Sequence, residues 1–145
     1  MTDFQIREAG PDDAEALARL VTDLGYPTSA AAMQRRLSSI AADDDYRTLV
    51  ACEGGTVVAF IGLRIGSNYA SDGRYGQVMA FSVAPSHQRR GIGARLLAAG
   101  EKTLVERGAD TLVVTTANHR ADAHAFYEAM GYSFTGRRYA KPVTR

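Results

Sequence analysis

The stretch that most constrains how this chain can fold runs from Val83 to Leu97. There an apolar β-like run ending Phe81-Ser82-Val83 breaks at Pro85, passes through Gln88-Arg89-Arg90-Gly91-Ile92-Gly93-Ala94 and enters a helix at Arg95-Leu96-Leu97. Strand, basic glycine-bearing turn and helix start, in that order, make a place for an anion. The first N–H groups of a helix have no internal partner and its peptide dipoles sum to a partial positive charge. Gly91 and Gly93 lack a Cβ, so they permit positive φ and close approach of a pyrophosphate, while Gln88, Arg89 and Arg90 can add side-chain donors.

Spacing separates the kinds of glycine loop. A Walker A loop needs Lys-Ser or Lys-Thr after its last glycine, and this chain has Gly93-Ala94-Arg95. A dinucleotide-binding fingerprint needs a third glycine where Leu96 stands and an acid at the end of the next strand, whereas Asp110 precedes that strand. An ordinary basic turn before a helix is the plain alternative.

The rest of the chain supplies a single-domain setting, residues 1–145. Phe4 to Glu8 alternates as a strand; Gly10-Pro11-Asp12-Asp13 starts a helix carrying Leu17, Leu20, Val21 and Leu24; Gly25 ends it. Thr28 is positioned to cap a second helix with Met33, Leu37 and Ile40 on one side. Arg47 to Glu53 and Thr56 to Ile65 form a hairpin around Gly54-Gly55, the second run apolar at both parities and therefore central. Tyr75 to Val83 leads into the loop; the following helix, with Leu96, Leu97, Gly100, Leu104 and Val105, stops at Gly108. Thr111 to Thr116 is a further strand, joined through that helix by a right-handed parallel crossover. Ala121 to Met130 reads as a helix closed by Gly131, and Tyr132 to Phe134 with Tyr139 to Val143 as a last strand pair.

Composition narrows the function classes. No basic-then-apolar leader opens the chain and no apolar run reaches spanning length, so a cytoplasmic protein without membrane contact is the expectation. The one cysteine, Cys52, lies in an apolar run and reads as a buried inert thiol. Residues 1–46 hold nine acids against Arg7, Arg19, Arg35 and Arg36, and the last nine residues hold Arg137, Arg138, Lys141 and Arg145 without an acid. Four charges without a nucleic-acid motif favour a solvated or phosphate-facing edge over nucleic-acid binding.

Two motifs then act together. Gln-x-x-Gly-x-Gly at Gln88 to Gly93 resembles the acyl-coenzyme A loop of the GCN5-related N-acetyltransferase (GNAT) superfamily. Asn118, followed by the helix ending Phe126-Tyr127-Glu128-Ala129-Met130-Gly131-Tyr132, is similar to the superfamily's second signature. In order and separation they match the family, covering about residues 77–134.

The resemblance implies an α/β (α+β) domain with a mixed, mostly antiparallel sheet, a splayed parallel strand pair in its centre and helices on both faces. It implies acetyl-CoA as acyl donor, with pantetheine along Phe81, Ser82 and Val83 and bonded to backbone at Phe81 and Val83. The pyrophosphate would sit on the amides of Arg89, Arg90, Gly91, Ile92, Gly93 and Ala94 beside Gln88, and Asn118 would hold the pantetheine arm. Tyr127 matches the tyrosine that protonates the departing thiolate. A phenol near pKa ~10 and a thiol near ~8.5 are close enough to share a proton. Direct transfer to a primary amine is implied, without a metal and without an acyl-enzyme on Cys52.

Many relatives carry an acid where this chain has Met79 and Ala80. Tyr75, Asp72, His87, His119, His124, water, or an amine arriving neutral remain as ways to take the proton. A non-catalytic acyl-CoA-binding or sensing domain is the competing class. The acceptor, a small molecule or a peptide terminus, is not written in the sequence, and a homodimer is open.

Overall fold

The computed structural model describes residues 3–115 and 121–144, and the chain gathers into two compact units, one running through Val113 and one beginning at Val114. In the first, β1 (Gln5–Glu8) is followed by a 3-10 turn, Pro11–Asp13, and by helices α1 (Ala14–Asp23) and α2 (Ala30–Ala41). Strands β2 (Tyr46–Glu53), β3 (Thr56–Ser67) and β4 (Arg74–Val83) come next, then α3 (Ile92–Glu106) and β5 (Ala109–Val114). The five strands lie in the order β1-β2-β3-β4-β5. Pairs from β1 to β4 are antiparallel, and β4 and β5, joined through α3, are parallel.

Local chemistry explains the connections. Gly54 and Gly55 take φ of 58° and 83°, the doubly positive pair that a two-residue hairpin requires. Helix α2 is capped by Ser29, whose hydroxyl accepts from the Ala32 amide at 3.1 Å. Thr28, the expected cap, instead donates its hydroxyl to the Tyr26 carbonyl at 2.7 Å.

The sheet is covered on both faces. Phe60, Val50 and Cys52 pack with Leu17, Leu20 and Met33 of α1 and α2. On the other face α3 comes so close that a Cβ on Gly100 would stand 3.1 Å from Ile61 Cδ1, and one on Gly76 would stand 2.9 Å from Leu104 Cβ. Central β3 is therefore apolar at both parities. Val105, expected in the buried stripe of α3, faces solvent. Strand β5 spans Ala109–Val114, slightly ahead of its expected position.

The second unit contains α4 (Ala121–Ala129). It ends in a Schellman turn at Gly131, φ 95°, where the Tyr132 amide bonds to the Tyr127 carbonyl at 3.0 Å and the Gly131 amide to Glu128 at 3.1 Å. The expected strand pair at 132–134 and 139–143 is absent: no strand is formed over 132–144, and Phe134, Tyr139 and Val143 are exposed. A β-rich composition makes a strand only where a ladder partner stands beside it.

Candidate active site

The chain leaves β4 with the Ala84 amide bonded to the Val58 carbonyl at 2.8 Å, makes a 3-10 turn at Pro85–His87 and reaches Arg89 at φ 65°. Arg89 is the one non-glycine residue with positive φ among those described, a conformation that costs a side-chain-bearing residue about 1–2 kcal/mol. Gly91, φ 81° and ψ 0°, then starts α3, with its carbonyl accepting from the Arg95 amide at 3.2 Å. No side chain caps this end. The amides of Ile92, Gly93 and Ala94 thus stay available to an anion, while the Ile92 side chain, fully buried, pins the helix start into the core. Both glycines permit positive φ, and only Gly91 uses it; Gly93 lies inside the first turn of α3 with helical backbone, because the turn closes at Gly91.

Two side chains expected to face the anion shape the loop instead. Gln88 donates from Nε2 to the Val83 carbonyl at 3.1 Å. Arg90 pairs with Glu53 at 2.6 Å, and the other Glu53 oxygen lies 3.2 Å from His87 Nε2, whose Nδ1 is 2.7 Å from Ser86 Oγ. Partial loss of solvent pushes the Glu53 carboxyl up. Hydrogen bonds from His87 and Arg90 outweigh it and hold the group below the ordinary carboxylate range. Sequence reasoning missed Glu53, which closes β2 thirty-seven residues before Arg90 and meets the loop only because β2, β3 and β4 end side by side. Arg89 is exposed and makes no ion pair among the described residues.

Upstream, Phe81 stands opposite Ile61, and buried Ser82 donates its hydroxyl to the Leu20 carbonyl at 3.0 Å, tying β4 to α1. Between the pairs Gly62↔Ala80 and Leu63↔Val78, Met79 is an extra residue that bulges out of the ladder, 48% exposed. The bulge turns Ala80 toward α1 and Val78 toward α3, and no carboxylate stands there.

Among the described side chains of α4 Tyr127 is the buried one, 9% exposed, with its ring edge-on to Phe126 at 5.4 Å and Tyr132 at 5.8 Å. Phe126 and Met130, one turn apart on the same helix side, are only half-buried. Asn118 and His119 lie outside the described residues. Of the other proton acceptors considered, His87 is held at the loop, Tyr75 accepts from Arg64 at 2.8 Å, Asp72 is exposed, and His124 is half-buried on α4. Cys52 is buried against α1 and α2. Among the described residues no group of His, Cys, Asp and Glu forms a metal cluster, and no helix is long and apolar enough to cross a membrane.

A bulged strand running through a glycine turn into an uncapped helix, at the parallel end of a mixed sheet, leaves the first amides of α3 open to an anion. The chain belongs to the acetyltransferase (GNAT) family, whose model matches residues 14–132. It is an N-acetyltransferase by family, and acetyl-CoA is the acyl donor. An aminoalkylphosphonate N-acetyltransferase of Salmonella typhimurium is 25% identical over 140 residues, covering 96% of this chain and 91% of the relative. Among solved structures, a GNAT family acetyltransferase of Staphylococcus aureus superposes with TM-score 0.83 at 24% identity, over 99% of this chain and all of the other. An aminoglycoside N-acetyltransferase in complex with CoA superposes with TM-score 0.87 at 18% identity, over 99% and 96% of the two chains.

Proposed function

We propose that the chain moves the acetyl group of acetyl-CoA directly to a primary amine, with Tyr127 as the acid that protonates the leaving thiolate. The observation that carries this reading is the uncapped, glycine-started α3 placed directly after a bulged β4. The pyrophosphate lies on the amides from Arg89 to Ala94, with Arg89 adding charge and Glu53 holding the loop through Arg90 and His87. Pantetheine follows the backbone of Phe81 to Val83, Asn118 holding its arm, and the thioester carbonyl comes to the bulge at Met79, where backbone N–H groups leave the ladder and can stabilise an oxyanion. The amine nitrogen attacks the carbonyl carbon, the C–S bond breaks, the sulfur takes the Tyr127 proton, and the nitrogen releases its proton to water. Burial of Cys52 in the α1–α2 core argues against a covalent acyl-enzyme.

The Salmonella relative acts on aminoalkylphosphonates and the CoA-bound structure on aminoglycosides, so the family leaves the acceptor to each member. The absence of a carboxylate at Met79 and Ala80 favours one other reading, an acyl-CoA-binding or sensing domain without turnover.

Thiol release from acetyl-CoA over a panel of primary amines separates the two. Tyr127→Phe should lower kcat by about a hundredfold or more while the KM for acetyl-CoA stays within about twofold. A folded Tyr127→Phe protein with full kcat would remove the tyrosine from the chemistry, and calorimetric acetyl-CoA binding with no amine turned over would favour the binding domain.

A further inference from the structure

Arg89 holds a backbone conformation that favours glycine. Its φ is 65°, Gly91 two residues on has φ 81°, and Arg90 between them keeps an ordinary negative φ. Backbone that alternates in hand turns successive N–H groups toward one side and makes a concavity for an anion, where the reading above puts the pyrophosphate. Glycine takes such a shape freely, whereas a residue with a Cβ keeps it only where its surroundings leave no other choice.

One carboxylate straddles the strained residue. Glu53 Oε1 lies 3.2 Å from His87 Nε2, two residues before Arg89, and Glu53 Oε2 accepts from Arg90 Nη2 at 2.6 Å, one residue after it. Neither contact is with Arg89 itself. The anchor is firm: Glu53 closes β2 opposite Thr56, across the tight Gly54-Gly55 turn and next to buried Cys52. His87 is fixed in turn, its amide bonded to the Ala84 carbonyl at 2.8 Å and its Nδ1 standing 2.7 Å from Ser86 Oγ. The segment from His87 to Arg90 is thus pinned at both ends to the two oxygens of one side chain.

Charge and geometry give Glu53 opposite effects. As a negative charge beside a phosphate loop it disfavours an anion; as a clasp it keeps Arg89 in the shape that receives one.

We propose that the clasp dominates: Glu53 is a positioning residue for the cofactor, gripping His87 and Arg90 so that Arg89 stays at positive φ and the loop amides stay turned toward the pyrophosphate. This rests on the reading that places the pyrophosphate on those amides. With the clasp open, Arg89 relaxes toward negative φ, and affinity falls with the fraction of molecules that keep the binding shape. For the strain of one such residue that loss is about five- to thirtyfold.

Calorimetry with CoA tests it on the wild type, Glu53→Gln, Arg89→Gly, Arg89→Gln and the double variants that join Glu53→Gln to each Arg89 change, with thermal melting to check folding. Glu53→Gln should weaken CoA binding about five- to thirtyfold, although it removes a negative charge. Arg89→Gly relieves the strain, so adding Glu53→Gln to it should change affinity by less than about twofold. Arg89→Gln loses the same charge but keeps the Cβ, and there the Glu53→Gln loss should persist in full. Arg90→Gln, which opens the clasp from the loop side, should give a loss that Arg89→Gly suppresses in the same way. Unchanged or tighter binding in a folded Glu53→Gln protein, or a loss of equal size in the Arg89→Gly background, would overturn the proposal. Gly91→Val judges the phosphate reading separately. Full CoA affinity in that variant sinks the reading and the clasp with it, while affinity lost there and kept in Glu53→Gln sinks the clasp alone.

Discussion

Asp13 shows how one carboxylate organises a chain entry. Its oxygens take a two-pronged ion pair from Arg7 at 2.8 and 2.9 Å, and one of them also accepts the Gly10 amide at 2.7 Å, joining β1 to the start of α1. The Arg7 hydrogen bonds, opposed by burial and aided by the Gly10 amide, hold the Asp13 carboxyl below its ordinary value. A depressed folded pKa stabilises fully above the unfolded value and is lost as pH falls through the folded one. Arg7 is half-exposed, so the ion pair is discounted for solvent. Asp13→Asn should lower unfolding free energy by about 1–2 kcal/mol at pH 7, and the gap from wild type should narrow as pH falls below about 4. Denaturant titrations at pH 7, 5 and 3 read this directly, and a gap that widens toward acid would contradict it. At this scale the sequence is a good guide to types: acids after Pro11 announced a helix start, while the identity of the partner, Arg7, came from strand placement.

The element that matters most is the turn from β4 into α3. A Cβ on Gly91 meets nothing within 4 Å, but its φ of 81° is unfavourable for any side chain. Gly91→Val should therefore cost about 1–2 kcal/mol of stability and weaken CoA binding by more than tenfold, as the branched side chain stands where the anion approaches. Calorimetry with CoA, paired with melting curves, checks both; an unchanged affinity in a folded variant would remove the loop from the mechanism. Gly93, helical already, has no φ penalty of this kind. The loop was legible because proline, glycine and charge punctuate a chain locally. The bulge at Met79 was not, since it exists only as a mismatch between the β3 and β4 registers.

At the scale of the whole molecule, neither Met79 nor Ala80 at the bulge is a carboxylate, and His87 is committed to Glu53 and Ser86. With acceptor deprotonation left to water, as the proposed mechanism has it, kcat/KM should rise with pH toward the amine's own pKa without a separate limb near ~6.5. A neutral limb that vanishes in His124→Gln or His119→Gln would identify a histidine base and end the solvent reading. The order of strands and helices, the hairpin at Gly54-Gly55, the double-sided burial of β3 and the family itself were all present in the sequence, because periodicity and turn chemistry act over a few residues and each leaves a local pattern. The β-rich tail at 132–144 misled for the same reason: local preference was there and a ladder partner was not. Only tertiary structure joined Glu53 to Arg90 and set Arg64 between Tyr46 and Tyr75. Those pairings are made by register and by strand ends meeting in space, and charges far apart along a chain carry no mark of which partner they will find.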